Sequence, residues 1–480
     1  MRVLFVASEV APYAKTGGLG DVAGVLPAQL ESIGHEVMVV TPLHRQTVDA
    51  GHDPRPVWED LQLEIGRRSI RYGARLSEDG RTWFIDCPEL YFRGSIYTND
   101  ADEHLRFIVM SRAAIELAQK RQWAPDIVHA NDWQAAFLPL LMRSSYAWDE
   151  LLTSARSVLT IHNLGYQGVF DSDIAPDLGL GDSLYLLHQE QLRAGRINFL
   201  LHGIMYADAI TTVSPTYARE IQTPEMGVGL DAFLRRRASD LVGILNGVDT
   251  TVWNPRTDQH LPWRYSEKSL WRKEKNKEEL LGRLGLTYEK GCAVVGIVSR
   301  LAGQKGIELI PGPLARVLAA GRARFVALGS GERRLENGLA RLAGAFPETA
   351  SFRSGYDERL AHLIEGGSDI FVMPSLYEPS GLNQMYSLAY GTVPVVRKTG
   401  GLADTVRHYS PETGEGTGFL FEHYTEQGLS WALNEALHTH SQPKSFARLQ
   451  QNGMAEDNSW ERRILEYSSL YERLASEERE

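Results

Sequence analysis

Val3-Leu4-Phe5-Val6-Ala7, Lys15-Thr16-Gly17-Gly18-Leu19-Gly20-Asp21-Val22 and Val37-Met38-Val39-Val40 are the three parts of the stretch that decides the fold. Val3 to Ala7 is an unbroken apolar run of strand length, the pattern of a parallel strand buried on both faces. A glycine-rich loop follows it. Val22, Leu26, Leu30 and Ile33 then recur at helical spacing until Gly34, a stop signal. Val37 to Val40 is again strand-like. Strand, glycine loop, helix and strand in this order make a βαβ unit.

The same plan restarts near residue 292. Cys292 to Val298 reads as a buried strand and Arg300-Leu301-Ala302-Gly303-Gln304-Lys305-Gly306 as its loop, with an apolar helix expected from Ile307. Ile127-Val128-His129, Val158 to Ile161 and Ile210 to Val213 are further strand-sized runs in the first half. Phe325 to Leu328, Ile370 to Met373 and Val393 to Val396 serve the second. Strands alternating with helices imply parallel sheets covered on both faces. The expected fold is α/β, with two Rossmann-like doubly wound domains facing across a deep cleft, where ligands bind at strand C-terminal ends. The joint falls near Leu245-Asn246-Gly247-Val248-Asp249, so the domains are expected at 1–244 and 245–456. Residues 457–480 are expected as a last helix, with Ser459 as its cap and Trp460, Ile464, Tyr467, Tyr471 and Leu474 on one stripe that must dock. The mixed-charge segment from Lys268 to Glu279 reads as a solvated helix face.

Composition narrows the function. The 480 residues suffice for two to four domains. Hydrophobic residues make up 43% and charged residues 23%, which excludes a disordered chain. The 50 Lys and Arg against 61 Asp and Glu leave a net charge of −11, which argues against nucleic acid or an anionic membrane as the main partner. Two cysteines, Cys87 and Cys292, suit a reducing compartment rather than a disulfide framework. The apolar run between Arg2 and Ser8 is short for an export signal, and no run approaches the ~20 residues of a membrane span. The expected location is cytoplasmic.

Five segments at expected strand ends could carry chemistry. Gly17, Gly18 and Gly20 let backbone amides approach an anion beside Lys15 and a helix start; the bland reading is a tight turn with an exposed lysine. No acid follows the second strand, where Thr41-Pro42-Leu43 stands, which lowers a nicotinamide reading. Arg300 and Lys305 suit a diphosphate, although most such cations are merely solvated. His162-Asn163 and His129 with Asp132 also stand at strand ends, and each histidine could simply bond a neighbouring loop. Glu378-Pro379-Ser380-Gly381-Leu382 pairs a carboxylate with free helix amides, a combination that suits a sugar nucleotide; the bland reading is helix charge compensation by Glu378. The chain has no G-x-x-x-x-G-K-[ST] loop, no H-E-x-x-H, no clustered Cys/His set and no G-x-S-x-G elbow.

Taken together and in order, these segments resemble the bacterial and plant glycogen and starch synthases, retaining glucosyltransferases of the two-Rossmann GT-B type. The resemblance spans nearly the whole chain. It rests on Lys15 to Val22, His162-Asn163-Leu164-Gly165-Tyr166-Gln167-Gly168, Thr212-Val213-Ser214-Pro215-Thr216-Tyr217-Ala218, Asn246-Gly247-Val248-Asp249, Ser299-Arg300-Leu301, Gln304-Lys305-Gly306 and Glu378 to Leu382. It implies glucose transfer from ADP-glucose, with UDP-glucose open, to the nonreducing 4-hydroxyl of an α-1,4-glucan such as glycogen. The implied catalytic set is His162, Arg300, Lys305, Glu378 and Asp132. Lys15, Gly17, Gly18 and Asp21 would serve the donor from the first domain. Gly381 and Leu382 would hold the distal phosphate, Asn163 and Asn246 with Asp132 would line the sugar pocket, and Tyr356 the adenine. Arg300 and Lys305 would stabilise the departing phosphate, so that no metal or other cofactor is required. The last helix would cross back onto the first domain. Retention could arise by front-face attack, the preferred route, or through a covalent intermediate on a carboxylate. Asp171-Ser172-Asp173 has the form of a metal-dependent glycosyltransferase motif but reads as a surface turn. The chain departs from the family at Leu201 and Leu376, where Lys and Arg are usual, and at Ser380, where Cys is usual. A glucosyltransferase with a small acceptor and a weakly catalytic glucan- or nucleotide-binding protein stand as alternatives. Nothing in the sequence indicates oligomeric state or regulation.

Overall fold

In the computed structural model, which describes residues 1–477, the opening apolar run forms β1 (Arg2–Val6) and the helical stripe forms α1 (Gly18–Ser32). The chain divides into two units. The first is Met1–Asn246 together with the C-terminal segment from Trp460; the second is Gly247–Ser459.

In the first unit β2 (Glu36–Pro42), β3 (Arg55–Ile65), β4 (Arg68–Leu76), β5 (Thr82–Asp86), β6 (Ile127–Asn131) and β7 (Arg156–Ile161) follow. After a small antiparallel pair, β8 (Val169–Asp171) with β9 (Arg196–Asn198), come β10 (Ala209–Thr212) and β11 (Leu241–Gly243). Among the described residues the main sheet has the order β11-β10-β7-β6-β1-β2-β5-β4-β3. Its pairs are parallel from β11 to β5, with Val3 beside both Val37 and Ile127. The β3–β4 edge is antiparallel, joined at Gly66, whose φ of 57° suits a tight hairpin. Helical and buried-strand periodicity do not reveal that edge, because its strands face water on one side.

Both faces of the sheet are covered, as successive side chains of β1 show. Val3 and Phe5 pack with Leu19, Val22, Leu26 and Leu30 of α1, while Leu4 and Val6 join a separate core on the other face. Burying each such side chain stabilises by about 1.5–3 kcal/mol. Ile33 is 40% exposed rather than buried, because α1 stops at Ser32 and Gly34 turns left-handed. The stripe Trp460, Ile464, Tyr467, Tyr471 and Leu474 lies on the final helix (Trp460–Ser476), is at most 3% exposed and joins the α1 side of the core. Tyr471 OH lies 2.7 Å from His129 Nδ1, and His129 Nε2 lies 2.6 Å from Thr160 Oγ1. His129 is thus a core residue. Leu201, on α2 (Phe199–Tyr206), is fully buried among apolar neighbours.

The second unit has α3 (Trp271–Leu284), β12 (Ala293–Val298), α4 (Pro311–Ala319), β13 (Ala323–Gly329), β14 (Ala350–Ser354), α5 (Glu358–Gly367), β15 (Ile370–Met373), α6 (Asn383–Ala389), β16 (Val393–Arg397) and β17 (Phe419–Phe421). Its strands run parallel in the order β14-β13-β12-β15-β16-β17. The final helix of the first unit is numbered α7. Two expectations need correction. The helix expected from Ile307 starts at Pro311, because Gly306 is left-handed (φ 65°) and a short 3₁₀ turn, Ile307–Leu309, intervenes. The segment from Lys268 to Glu279 is not merely a solvated face. Lys273 and Lys277 of α3 are 4% and 2% exposed. Lys273 Nζ donates to the carbonyls of Glu365 and Gly366 at 2.9 and 3.1 Å and to Thr392 Oγ1 at 2.6 Å. Lys277 pairs with Asp369 at 2.9 Å. Charge alternation does not reveal which lysines have buried partners waiting on other elements.

Candidate active site

In the first unit β1, β6 and β7 are neighbours, so the loops after their C-terminal ends meet. Asp132 follows β6 and His162 follows β7. Asp132 Oδ1 accepts the backbone N–H of His162 at 2.7 Å and that of Asn163 at 3.4 Å. Asp132 has φ 53°, a conformation that L residues hold only when their surroundings enforce it. Its residue surface is half-buried, but loss of water around the carboxyl outweighs the two amide bonds and raises it to about 7. His162 Nε2 lies 3.0 Å from Asn131 Oδ1, while Asn131 Nδ2 donates to Val6 O at 3.1 Å. The Asn131 oxygen can only accept, so Nε2 carries the proton and Nδ1 is left as an acceptor. Burial lowers the His162 imidazole to about 3, so it is neutral near pH 7.

The glycine loop after β1 is shaped by a residue that the sequence reading passed over. Glu9, 3% exposed, accepts Thr16 Oγ1 at 2.7 Å, Tyr97 OH at 2.5 Å, the Gly17 amide at 3.2 Å and the Thr16 amide. The Gly17 N–H is therefore already engaged. Gly18 opens α1, whose N terminus has no capping side chain. Lys15 is exposed and pairs with Asp21 at 2.5 Å, and burial raises the Asp21 carboxyl. Asp21 thus holds the Lys15 ammonium over the start of α1. Asn163 Oδ1 accepts the Gly165 amide at 2.9 Å. Asn246, 3% exposed, keeps its Oδ1 without a partner among the described residues. A signal for Glu9 existed: an acid two residues after a buried strand.

In the second unit Lys305 and Glu378 come together. Lys305 Nζ donates to both carboxylate oxygens, at 2.9 and 2.7 Å, and Ser375 Oγ donates to one of them at 3.0 Å. Glu378 is 4% exposed. An ammonium has three N–H groups, so two bonds to Glu378 leave one for an anion. Arg300 is exposed, and its guanidinium forms no hydrogen bond or ion pair among the described residues. Tyr356, after β14, is 72% exposed.

Gly381 is left-handed (φ 67°), and a Cβ there would lie 2.5 Å from Gln384 Oε1. The helix after it is α6, Asn383–Ala389. The amides of Gly381 and Leu382 donate to no described residue. Lys398-Thr399-Gly400-Gly401-Leu402 repeats the pentapeptide Lys15 to Leu19 and was not singled out by the sequence reading. A Cβ on Gly400 would meet Glu378 O at 2.0 Å, and one on Gly401 would meet Ser380 O at 2.0 Å, so these glycines let the Glu378 loop close. Of the departures, Leu376 is 41% exposed with its carbonyl held by Arg397, and Ser380 Oγ lies 3.3 Å from Gly381 O. Asp171 and Asp173 are exposed beside the small β8–β9 pair.

A family model described as the starch synthase catalytic domain matches residues 2–236, and one described as glycosyl transferases group 1 matches residues 287–454. The glycogen synthase of Myxococcus xanthus is 46% identical, covering 99% of this chain and 100% of its own. That of Thermotoga maritima is 41% identical over 98% of this chain and 99% of its own. Among solved structures, the catalytic domain of starch synthase IV from Arabidopsis thaliana, bound to ADP and acarbose, matches with a TM-score of 0.91 and 34% identity over 99% of each chain. A sucrose-phosphate synthase from Thermosynechococcus elongatus matches with a TM-score of 0.60 and 17% identity over 98% of each, a likeness of fold. With relatives this similar along its whole length and two parallel-sheet units of the GT-B type, the chain belongs to the glycogen and starch synthase family of glycosyltransferases.

Proposed function

We propose that this chain transfers the glucosyl unit of ADP-glucose to the nonreducing 4-hydroxyl of an α-1,4-glucan such as glycogen, with retention of configuration. The observation that carries the reading is the Lys305–Glu378 pair, with Lys305 on the loop after β12 that also presents the exposed Arg300. Cleaving the glucosyl–phosphate bond puts positive charge on the sugar and negative charge on the departing phosphate. Arg300 and the third N–H of Lys305 stabilise the phosphate, with the Gly381 and Leu382 amides on its distal group. The Glu378 carboxylate, already oriented by Lys305, accepts glucose hydroxyls. From the first unit Lys15 and the start of α1 serve the diphosphate. Asp132, Asn163 and Asn246 serve the sugar, and the open Nδ1 of neutral His162 accepts from it. Tyr356 serves the adenine. The acceptor attacks from the face that the phosphate leaves, and a phosphate oxygen takes its proton.

ADP is assigned as the nucleotide because a starch synthase 34% identical was solved with ADP bound. The protein cations make a metal unnecessary for this transfer. A cytoplasmic setting is part of the same reading and is supported by two free cysteines. The deciding experiment measures transfer to glycogen from ADP-glucose and UDP-glucose side by side, with EDTA present. Faster transfer from ADP-glucose is expected. Binding of ADP-glucose without transfer to glycogen, but with transfer to a small sugar, would replace this reading.

A further inference from the structure

His260, Glu358 and His362 lie far from one another in sequence or one helical turn apart, and the second unit brings them together. One ligand atom of each lies within 4.8 Å of those of the other two. Glu358 and His362 share a face of α5 at the i, i+4 spacing. His260 arrives from the segment before α3, and its ring centroid lies 4.6 Å from that of His362.

His362 is the fixed point. It is fully buried, and its Nδ1 lies 2.8 Å from Asp258 Oδ2. Asp258 is itself held by Tyr390 OH at 2.5 Å and by the backbone N–H of His260 at 2.7 Å. Trp253 stacks on the His362 ring at 3.8 Å and 9°, and on Tyr386 at 3.9 Å and 5°. A carboxylate that accepts at Nδ1 puts the proton there and leaves a lone pair on Nε2. That Nε2 is buried and has no hydrogen-bond partner among the described residues. A buried lone pair without a donor is costly.

We propose that His260, Glu358 and His362 bind a divalent transition-metal ion of the zinc type, with Asp258 orienting His362. Two imidazoles and one carboxylate suit zinc or cobalt rather than magnesium or calcium, which prefer all-oxygen shells. A carboxylate behind a metal-bound histidine is the recurrent supporting arrangement for such ions. Ligands about 2.0–2.2 Å from a tetrahedral zinc are roughly 3.4 Å apart. His260 is half-buried and Glu358 exposed, so both side chains can close that gap while His362 stays in place. None of these residues belongs to the transfer machinery, so the ion would tie α5 to the segment around His260 without entering the reaction.

The test uses the whole protein, stripped with EDTA, dialysed and titrated with Co²⁺, then with Zn²⁺. Visible d–d absorption typical of tetrahedral nitrogen and oxygen ligation is expected at one equivalent, bleached by Zn²⁺, together with a rise in unfolding temperature. His260→Ala and Glu358→Gln, both at the surface, should each weaken binding about tenfold or more and abolish the rise. Wild-type protein that takes up no Co²⁺, or variants that bind it as well as wild type, would overturn the proposal and leave a water as the partner of His362 Nε2.

Discussion

Replacing Lys305 by alanine strands a carboxylate that is 4% exposed, with only the 3.0 Å bond from Ser375 left. Losing one partner of a buried pair costs about 3–5 kcal/mol. The Lys305 side chain is 19% exposed, so some water enters and the lower end, about 3 kcal/mol, is expected. For a unit of roughly 200 residues this lowers the melting temperature by about 6–12 °C. Adding Glu378→Gln removes the stranded charge and should restore at least half of the loss, giving a coupling of about 2 kcal/mol in the double-mutant cycle. Catalysis should not follow stability. Both Lys305 variants lose the donor to the departing phosphate, so kcat should fall about 10²–10³-fold while glucan affinity holds. Calorimetry and initial rates on the four proteins test both halves. A coupling under about 0.5 kcal/mol would remove the pair as a stabilising element. A near-normal kcat in Lys305→Ala would remove it from transition-state stabilisation.

Glu9→Gln puts an amide N–H against the donors of Thr16 and Gly17. It should lower kcat/KM for the donor about 10–100-fold with little change for glucan, as steady-state kinetics with each substrate varied will show. Asp132 is raised from 3.8 to about 7, so between those values the folded chain holds more protons than the unfolded one and stability falls as pH rises through the window. Asp132→Asn keeps the acceptor for His162 N–H, so its melting temperature relative to wild type should climb from about pH 4 to about pH 7 and level off above; a flat difference would contradict the shift. Tyr471→Phe leaves His129 Nδ1 unpartnered in the core and should cost about 1–3 kcal/mol in urea unfolding, whereas Tyr471→Ala should cost about 3–5. EDTA should leave glucose transfer unchanged, and strict dependence on added Mn²⁺ or Mg²⁺ would refute the assignment of phosphate stabilisation to protein cations.

The βαβ opening, the restart at β12 and the stripe of α7 were legible because each is a periodic pattern with a burial consequence. An apolar run flanked by glycine has few ways to fold. The candidate site was legible to the same extent: residues just after strands stand at one edge of a parallel sheet whatever the packing. Lys15, Asp132, His162, Arg300, Lys305 and Glu378 are singled out in this way. The repeated Lys-Thr-Gly-Gly-Leu at residue 398 was equally readable and was passed over.

What the sequence by itself determined is thus the set of strands, the loops that follow them and the residue types those loops present. Pairings decided only by tertiary structure have no such pattern. Lys305 meets Glu378 across 73 positions, and Asp258 meets His362 across 104. Lys273 and Lys277, which look like a solvated face, are buried because α5 supplies carbonyls, and Asp369 between α5 and β15 a carboxylate, where α3 packs. Local periodicity reports which face of an element is apolar. A polar partner depends on the register of a second element, set by the whole core at once, and that information is spread over every residue that packs it.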